Sequence, residues 1–120
     1  MQRILVVDDE ADIRDILSEY LGAIGFEVVG LGTGREALDL LQDPAQDFDI
    51  ALVDWSIPGI DGKDVVQQVH EYRPACVIYA ITGYDQETVF HSVVGSLVAG
   101  VFRKPFSLRE LGQQLGQKKK

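Results

Sequence analysis

Short apolar runs alternate along the chain with segments in which apolar residues recur every three or four positions. Five runs are evident, at residues 4–7, 28–31, 50–53, 77–81 and 100–102. They lack the apolar–polar alternation of a strand with one wet face, which indicates strands covered on both sides. Helical spacing between and after them predicts five amphipathic helices. The repeated strand–helix pattern therefore predicts an α/β fold, with a parallel sheet between two layers of helices.

Each predicted helix is defined by its apolar face. The faces contain Ile13, Ile16, Leu17, Tyr20, Leu21 and Ile24 in the first helix, Ala37, Leu38 and Leu41 in the second, Val65, Val66 and Val69 in the third, Val89, Phe90, Val93, Val94 and Leu97 in the fourth, and Leu108, Leu111 and Leu115 in the fifth. Gly25 and Gly32, with Pro44 and Pro74, mark element ends. We expect one domain at residues 1–117, followed by a tail, linker start or tag remnant at 118–120.

Polar residues follow most of the predicted strands. They are Asp8 and Asp9 after the first, Asp54 after the third, Thr82 after the fourth and Lys104 after the fifth. Ligands of parallel sheets bind beyond the carboxyl ends of the strands, so a strand order of 2-1-3-4-5 would bring these side chains to one edge. The second strand ends in Gly32, Thr33 and Gly34, without a strong functional group.

The three aspartates predict a cation site. Two like charges ~4 Å apart repel by about 4 kcal/mol at an effective dielectric near 20, so a fold that gathers them needs a positive charge nearby. Carboxylate oxygens suit a hard divalent cation. With Lys104 as a second positive charge and Thr82 as a hydroxyl donor, the set has the components of phosphoryl transfer. The Gly-Thr-Gly at 32–34 is too short for a nucleotide phosphate cradle.

Composition narrows the classes of partner and compartment. The 120 residues carry a net charge of −8, which argues against a nucleic-acid-binding face. The single cysteine, Cys76, lies in an apolar run, so we expect buried packing and a reducing, cytoplasmic compartment. No apolar run is long enough for a membrane span, and the N-terminus lacks a signal-peptide pattern.

Four motifs now carry a resemblance to a known family. The ordered set VVDDE, LVDWSIPGIDG, ITG and FRKPF resembles the receiver domain of two-component response regulators, in the CheY-like superfamily. Each motif alone is weak, but the set with these spacings is specific and covers essentially the whole chain. The resemblance implies a flavodoxin-like, doubly wound, three-layer fold. It also implies a phosphorelay signalling domain, with self-phosphorylation and autodephosphorylation chemistry only, not an enzyme acting on a metabolite.

The resemblance assigns roles to the acids. Asp54 would be the phosphoacceptor, taking a phosphoryl group from a phosphohistidine of a sensor histidine kinase or a histidine phosphotransfer protein. Asp9, Asp54 and the Ser56 backbone carbonyl would bind Mg²⁺, or Mn²⁺ in its place, while Asp8 acts through water. The adjoining Glu10 is expected to add only negative field.

The resemblance also implies how the phosphoryl group is held and how the signal leaves. Thr82 and Lys104 would bind phosphoryl oxygens, and the Lys104–Pro105 peptide bond would be cis. Pro58, Gly59 and Gly62 match the turn after the acceptor. The output would be a change at the fourth helix, fifth strand and fifth helix, acting on an output domain, an effector protein or a second copy in a homodimer.

Two features depart from the family pattern. Val101 replaces the usual aromatic residue, Phe102 after it is expected on the opposite face, and Tyr84 is a candidate gate or reporter. Residues 92–102 contain no charged side chain, which predicts an exposed apolar patch near Val94, Leu97 and Val98. A more deeply buried helix is the alternative.

Other interpretations stay open. A small aspartate-nucleophile phosphatase uses similar residues, but the chain lacks its Asp-x-Asp pair, since Glu10 stands two after Asp8. A degenerate receiver that only binds partners is a third reading, against which the complete set of acids, Thr82 and Lys104 argues. Trp55 either shields the site or packs in the core. His70 and His91 are expected on the surface.

Overall fold

The fold is a parallel sheet covered by helices on both faces. A computed structural model describes residues 2–55, 62–83 and 93–117. The elements are, in order, β1 (Arg3–Val7), α1 (Ala11–Ala23), β2 (Glu27–Leu31), α2 (Gly34–Leu41), β3 (Ile50–Asp54), α3 (Gly62–Tyr72), β4 (Val77–Thr82), a 3-10 helix (Val93–Leu97), β5 (Gly100–Arg103) and α4 (Leu108–Gln117). The strands pair in the order β2-β1-β3-β4-β5, all parallel. The predicted fold class and strand order are confirmed.

Two apolar cores lie on opposite faces of the sheet, because successive side chains of a strand point to opposite sides. Leu5 and Val7 of β1 belong to the core that includes residues of α2 and α3. Ile4 and Val6 belong to the core shared with α1 and α4. All four side chains are fully buried. This double coverage explains why the strands read as uninterrupted apolar runs in the sequence.

The helices follow the predicted pattern, with one difference in α1. Its apolar face buries Leu17 and Leu21, yet Ile16 is 46% exposed and Ile24 is 38% exposed. The predicted apolar face is therefore wider than the buried one. At α2, the Thr33 hydroxyl oxygen accepts a hydrogen bond from the Glu36 N–H at 3.1 Å, which is the usual way to satisfy a helix N-terminus.

The segment before β5 corrects part of the prediction for the fourth helix. Of that helix the structure describes only the 3-10 turn Val93–Leu97, and the predicted fifth helix corresponds to α4. Val98 is buried, and Leu97 is half-buried against the α2–α3 core. The expected exposed patch was therefore wrong at Val98, because these apolar side chains reach the sheet.

Several predicted features lie outside the described residues. They are the Ser56 carbonyl, Pro58, Gly59, Tyr84, His91, the side chain of Val94 and residues 118–120. The boundary between the domain and its tail stays a prediction. His70 is exposed, as expected. Among the described residues, no helix has both the length and the apolar character needed to cross a lipid bilayer.

Candidate functional site

Three aspartates meet at the carboxyl edge of the sheet. β1 and β3 are neighbours, so the residues that follow them come together. Asp8, Asp9 and Asp54 each place a carboxylate oxygen within 4.8 Å of the others. Asp8 and Asp54 are buried, whereas Asp9 is exposed. The strand-end prediction for the three acids therefore agrees with their positions.

Asp8 is held by the backbone and by α1. Its N–H donates to the Leu31 carbonyl at 3.0 Å, which continues the pairing of β1 with β2. Its own carbonyl accepts a hydrogen bond from Arg14 Nη1 at 2.7 Å. Its Oδ1 atom accepts from the Glu10 N–H at 2.9 Å. The first two contacts fix the backbone of Asp8 and the third restrains its side chain, which leaves the second oxygen, Oδ2, next to Lys104.

Lys104 brings the positive charge into the same edge. Its backbone N–H donates to the Thr82 carbonyl at 2.7 Å, and the Lys104–Pro105 peptide bond is cis, as expected. The ammonium Nζ lies 3.1 Å from Asp8 Oδ2 and 3.1 Å from Asp54 Oδ2. Thr82, at the end of β4, is fully buried. β4 thus ends in a buried threonine at the carboxyl edge of the sheet, and the residue after β5 places an ammonium group beside the acids.

Glu10 makes a contact that sequence reasoning missed. Its Oε1 atom lies 2.9 Å from Lys104 Nζ, the shortest of the three carboxylate contacts to this ammonium. The two residues are 94 positions apart, so no local spacing could have paired them. The only available signal was the placement of Glu10 directly after two strand-end acids. Glu10 therefore belongs to the charged site and does more than add a diffuse field.

The electrostatics of the site reflect burial and a surplus of negative charge. Burial raises the pKa of Asp8; the Glu10 N–H and the Lys104 ammonium oppose this rise, and the Asp54 carboxylate adds to it. Burial alone would lower the pKa of Lys104, but its carboxylate partners Glu10, Asp8 and Asp54 outweigh burial and raise this pKa above its usual range. Lys104 is therefore charged at neutral pH.

The residues present fit a divalent cation. Asp8, Asp9 and Asp54 together exceed the single charge of Lys104, which leaves the cluster negative. Asp8 Oδ2 is buried and, within the described ranges, accepts no hydrogen bond with good geometry; its close neighbour is the Lys104 ammonium. A carboxylate oxygen in this state is an available ligand, and an all-oxygen donor set suits Mg²⁺ or Mn²⁺.

The first residue of α3 has to be a glycine. The Gly62 N–H donates to the Trp55 carbonyl at 3.3 Å. A Cβ atom at Gly62 would collide with the Asp54 carbonyl oxygen and would lie 2.5 Å from Trp55 Cα. Trp55 itself is 8% exposed and belongs to the α2–α3 core, which favours its packing role over a shielding role. The start of α3 therefore presses directly on the backbone of Asp54.

Val101, which replaces the aromatic residue usual in the family, and Phe102 lie on opposite faces of β5. Val101 is half-buried against the α2–α3 core. Phe102 is buried in the α1–α4 core, where its ring centroid lies 5.5 Å from that of Tyr79. The predicted alternation is correct. Phe102 is therefore not placed to substitute for a ring at position 101.

An apolar groove borders the charged edge between α1 and the segment after β5. It is lined by Ile13, Ile16, Leu17, Pro105, Phe106 and Leu108, with Glu10 and Lys104 at its rim. The exposed side chain of Ile16 lies here, not near the 3-10 helix. The apolar surface next to the site is consequently on the α1 side of the sheet.

Known proteins share this arrangement. The family model described as the response regulator receiver domain matches residues 4–116. The response regulator SaeR of Staphylococcus epidermidis is 35% identical over 114 residues, which is 92% of this chain and 47% of that protein. A cyclic di-GMP phosphodiesterase of Thermotoga maritima is 31% identical over 108 residues, covering 90% of this chain and 28% of that protein. The chain thus spans less than half the length of these relatives.

Solved structures agree with the sequence comparison. The response regulator protein TrrA of Thermotoga maritima, in complex with Mg²⁺-BeF, superposes with a TM-score of 0.83 at 30% identity, covering 98% of this chain and 99% of that one. A CheY-like receiver domain protein of Methanospirillum hungatei gives a TM-score of 0.84 at 27% identity, covering 98% and 93%. Fold, acidic edge and family model coincide, and the chain belongs to the response regulator receiver domain family of two-component signalling.

Proposed function

We propose that Asp54 is the phosphoacceptor of this receiver domain and that the donor is a phosphohistidine on a sensor histidine kinase or a histidine phosphotransfer protein. The observation that carries this proposal is the convergence of Asp8, Asp9 and Asp54 with the Lys104 ammonium, 3.1 Å from Asp54 Oδ2. A buried carboxylate beside a cation is suited to act as a nucleophile toward phosphorus.

The chemistry has two steps, and in each step one bond forms and one breaks. A carboxylate oxygen of Asp54 attacks phosphorus, and the bond from phosphorus to the imidazole nitrogen breaks. The nitrogen keeps that electron pair and takes a proton from solvent. Water later attacks phosphorus, the bond from phosphorus to the Asp54 oxygen breaks, and the carboxylate is regenerated as inorganic phosphate leaves. The Lys104 ammonium and the Thr82 hydroxyl would hold phosphoryl oxygens during both steps.

Mg²⁺ is the cofactor that we propose for this site, with Mn²⁺ as a substitute. Asp9 and Asp54 would bind it directly, with the Ser56 carbonyl, and Asp8 would act through water. The Mg²⁺-BeF complex of the TrrA protein supports this assignment, since that protein is 30% identical to this chain. The cation supplies positive charge that offsets the charge on the transferring group.

The partners follow from the family and from the surface beside the site. The apolar groove with exposed Ile16 borders Lys104, so a protein that carries the phosphohistidine has apolar surface to contact. For the output we propose the surface around the last helix and β5, which would act on an output domain, an effector or a second copy. Of the residues proposed for this switch, Thr82, Leu97, Val101 and Phe102 lie within the described residues, whereas Tyr84 and the side chain of Val94 lie outside them.

An Asp54→Asn variant tests the acceptor. Wild type should incorporate acid-labile phosphate from acetyl phosphate only when Mg²⁺ is present, and the variant should incorporate almost none, because an amide oxygen is a poor nucleophile. Asp64→Asn is the matched control, since Asp64 is an exposed acid in the first turn of α3. Intact-mass spectrometry measures incorporation. Phosphate retained by Asp54→Asn would place the acceptor elsewhere.

The same preparation separates the alternatives. Repeated turnover of a generic phosphate ester by wild type would favour a phosphatase. Beryllofluoride with Mg²⁺ should change the fluorescence of Trp55, which directly follows Asp54 and is the only tryptophan. A fluorescence signal that does not respond, together with absent phosphate incorporation, would favour a receiver that acts only as a binding module.

A further inference from the structure

The Lys104 ammonium is surrounded by carboxylates in the structure. Three carboxylate oxygens lie within reach: Glu10 Oε1 at 2.9 Å, Asp8 Oδ2 at 3.1 Å and Asp54 Oδ2 at 3.1 Å. Of these, Glu10 and Asp54 accept a hydrogen bond from the ammonium, so a phosphoryl oxygen that approaches it competes with these contacts. Which contact yields will influence the rate of phosphoryl transfer.

Glu10 differs from the other two partners. Its side chain is 57% exposed, whereas those of Asp8 and Asp54 are 0% and 7% exposed. Glu10 also lies outside the three-carboxylate cluster, so a cation held by that cluster would not be shared with it. It precedes α1 as the N-cap residue and makes no side-chain capping bond there. Within the described residues, its carboxylate thus contacts Lys104 and does not cap the helix.

We propose that Glu10 is a positioning residue that holds the Lys104 ammonium and thereby slows phosphoryl transfer onto Asp54. This inference rests on the proposed function of Asp54 as acceptor. A phosphoryl oxygen entering the site competes with the Glu10 carboxylate for the same ammonium. The ion pair between Glu10 and Lys104 has one half-exposed member, so its loss should change the rate of phosphoryl transfer by a modest factor.

The kinetic test compares Glu10→Gln with Asp12→Asn. Asp12 is exposed in the first turn of α1 and is not one of the three carboxylates that contact Lys104. Both variants remove one charge from the same end of the helix. With acetyl phosphate and saturating Mg²⁺, Glu10→Gln should be phosphorylated about fivefold faster than wild type, the factor expected for loss of one partly exposed ion pair. Asp12→Asn should change the rate by less than about twofold.

The outcomes separate the inference from the proposed function. A rate for Glu10→Gln that equals that of Asp12→Asn, or falls below that of wild type, overturns the inference while leaving Asp54 as acceptor. Wild type that takes up no phosphate overturns the proposed function itself. Thermal unfolding of both variants establishes that the fold is kept, and matching unfolding curves with different rates support a positioning role.

A second readout needs neither metal nor phosphate. The side-chain Cε–Hε NMR signal of Lys104 can be identified by its absence in Lys104→Arg. In the metal-free protein this signal should move in Glu10→Gln and stay in place in Asp12→Asn, because Glu10 contacts the ammonium and Asp12 is not one of its carboxylate partners. An unchanged signal in Glu10→Gln would show that the contact is not made in solution and would overturn the inference.

Discussion

The two ends of the sheet carry the same kinds of charged side chain in different surroundings. At the amino end, Arg3 Nε lies 2.6 Å from Glu27 Oε2, and the Arg3 N–H donates to Asp49 Oδ2 at 2.9 Å. Both acids are exposed. Arg73 supplies a second cation, which donates to the Gln46 carbonyl at 2.8 Å. Here Glu27 and Asp49 accept from two different N–H groups of Arg3. Arg3 also ties the loop around Gln46 to the sheet.

At the carboxyl end the acids outnumber the cations. Asp8, Glu10 and Asp54 share the single ammonium of Lys104, and two of these acids are buried. Buried like charges with one counter-charge are costly for folding. A protein keeps such an arrangement where another positive group is expected to arrive. The comparison teaches that the ratio of acids to cations, together with burial, distinguishes a site from a structural ion pair.

The largest change in stability is expected at Gly62, where the backbone of Asp54 and Trp55 leaves no space for a side chain. Gly62→Ala should destabilise the protein by about 1–3 kcal/mol, because the added methyl group collides with the backbone of Asp54. Gly22→Ala in α1 is the matched control, since nothing lies within 4 Å of its Cβ position. That change should stabilise the helix by up to about 1 kcal/mol. Chemical denaturation measures both, and equal effects would contradict the argument.

A smaller effect on stability, which should shrink when Mg²⁺ is added, is expected at Asp8. In the absence of metal, Asp8→Asn should raise stability by on the order of 1 kcal/mol, because it removes one of the crowded buried charges. This corresponds to a shift of about 4 °C in Tm for a domain of this size. With Mg²⁺ present, wild type should gain stability through binding and the variant should gain less.

The amino end supplies the control for this change. Asp49→Asn removes an exposed charge, yet the amide oxygen can still accept from the Arg3 N–H. Its Tm should stay within about 2 °C of wild type with and without Mg²⁺. If Asp49→Asn gained stability as Asp8→Asn does, general charge repulsion across the protein would explain both results, and the contrast between the two ends would fail.

The smallest effect is expected at Cys76, next to the amino end. Burial, with smaller contributions from Asp49 and Asp47, raises the pKa of this thiol to about 12, so its predicted packing role is favoured. At pH 8 the thiolate fraction is therefore on the order of 10⁻⁴. We expect slow reaction with a maleimide in the native state and fast reaction in denaturant. Rapid native labelling would contradict the burial of this thiol.

The sign of the linked pH effect follows from the direction of the shift. Because the pKa of Cys76 in the folded state is above that of an unfolded thiol, about 8.5, burial of the neutral thiol contributes its full stability below that unfolded value. The contribution is lost as pH rises toward about 12. At neutral pH Cys76 should therefore produce no pH dependence of stability.

Much of the site could be predicted because strand ends are readable in the sequence. Uninterrupted apolar runs located β1 and β3, and parallel pairing then brought Asp8 and Asp54 to one edge. The position of Lys104 was predicted in the same way, because it directly follows β5. Register within a strand also follows from alternation, which explains why the opposite faces of Val101 and Phe102 were predictable.

Contacts between side chains on different elements could not be predicted in this way. Neither the pairing of Glu10 with Lys104 nor the bond from Arg14 to the Asp8 carbonyl has a local sequence signature. The prediction for the uncharged segment before β5 was wrong at Val98 for another reason. Apolar content indicates that a segment is buried against something, but it does not tell a core face from a free surface, as Val98 shows.

The space beside Gly32 gives the second strand an indirect part in the site. A Cβ atom at this position would lie 2.9 Å from Arg14 Nη1, the same atom that donates to the Asp8 carbonyl at 2.7 Å. A guanidinium group at the end of a flexible chain can swing aside, so a larger residue 32 would be accommodated by releasing that carbonyl. The end of β2, which has no functional group, thus contributes by remaining small: the room at residue 32 lets Arg14 hold the backbone carbonyl of Asp8.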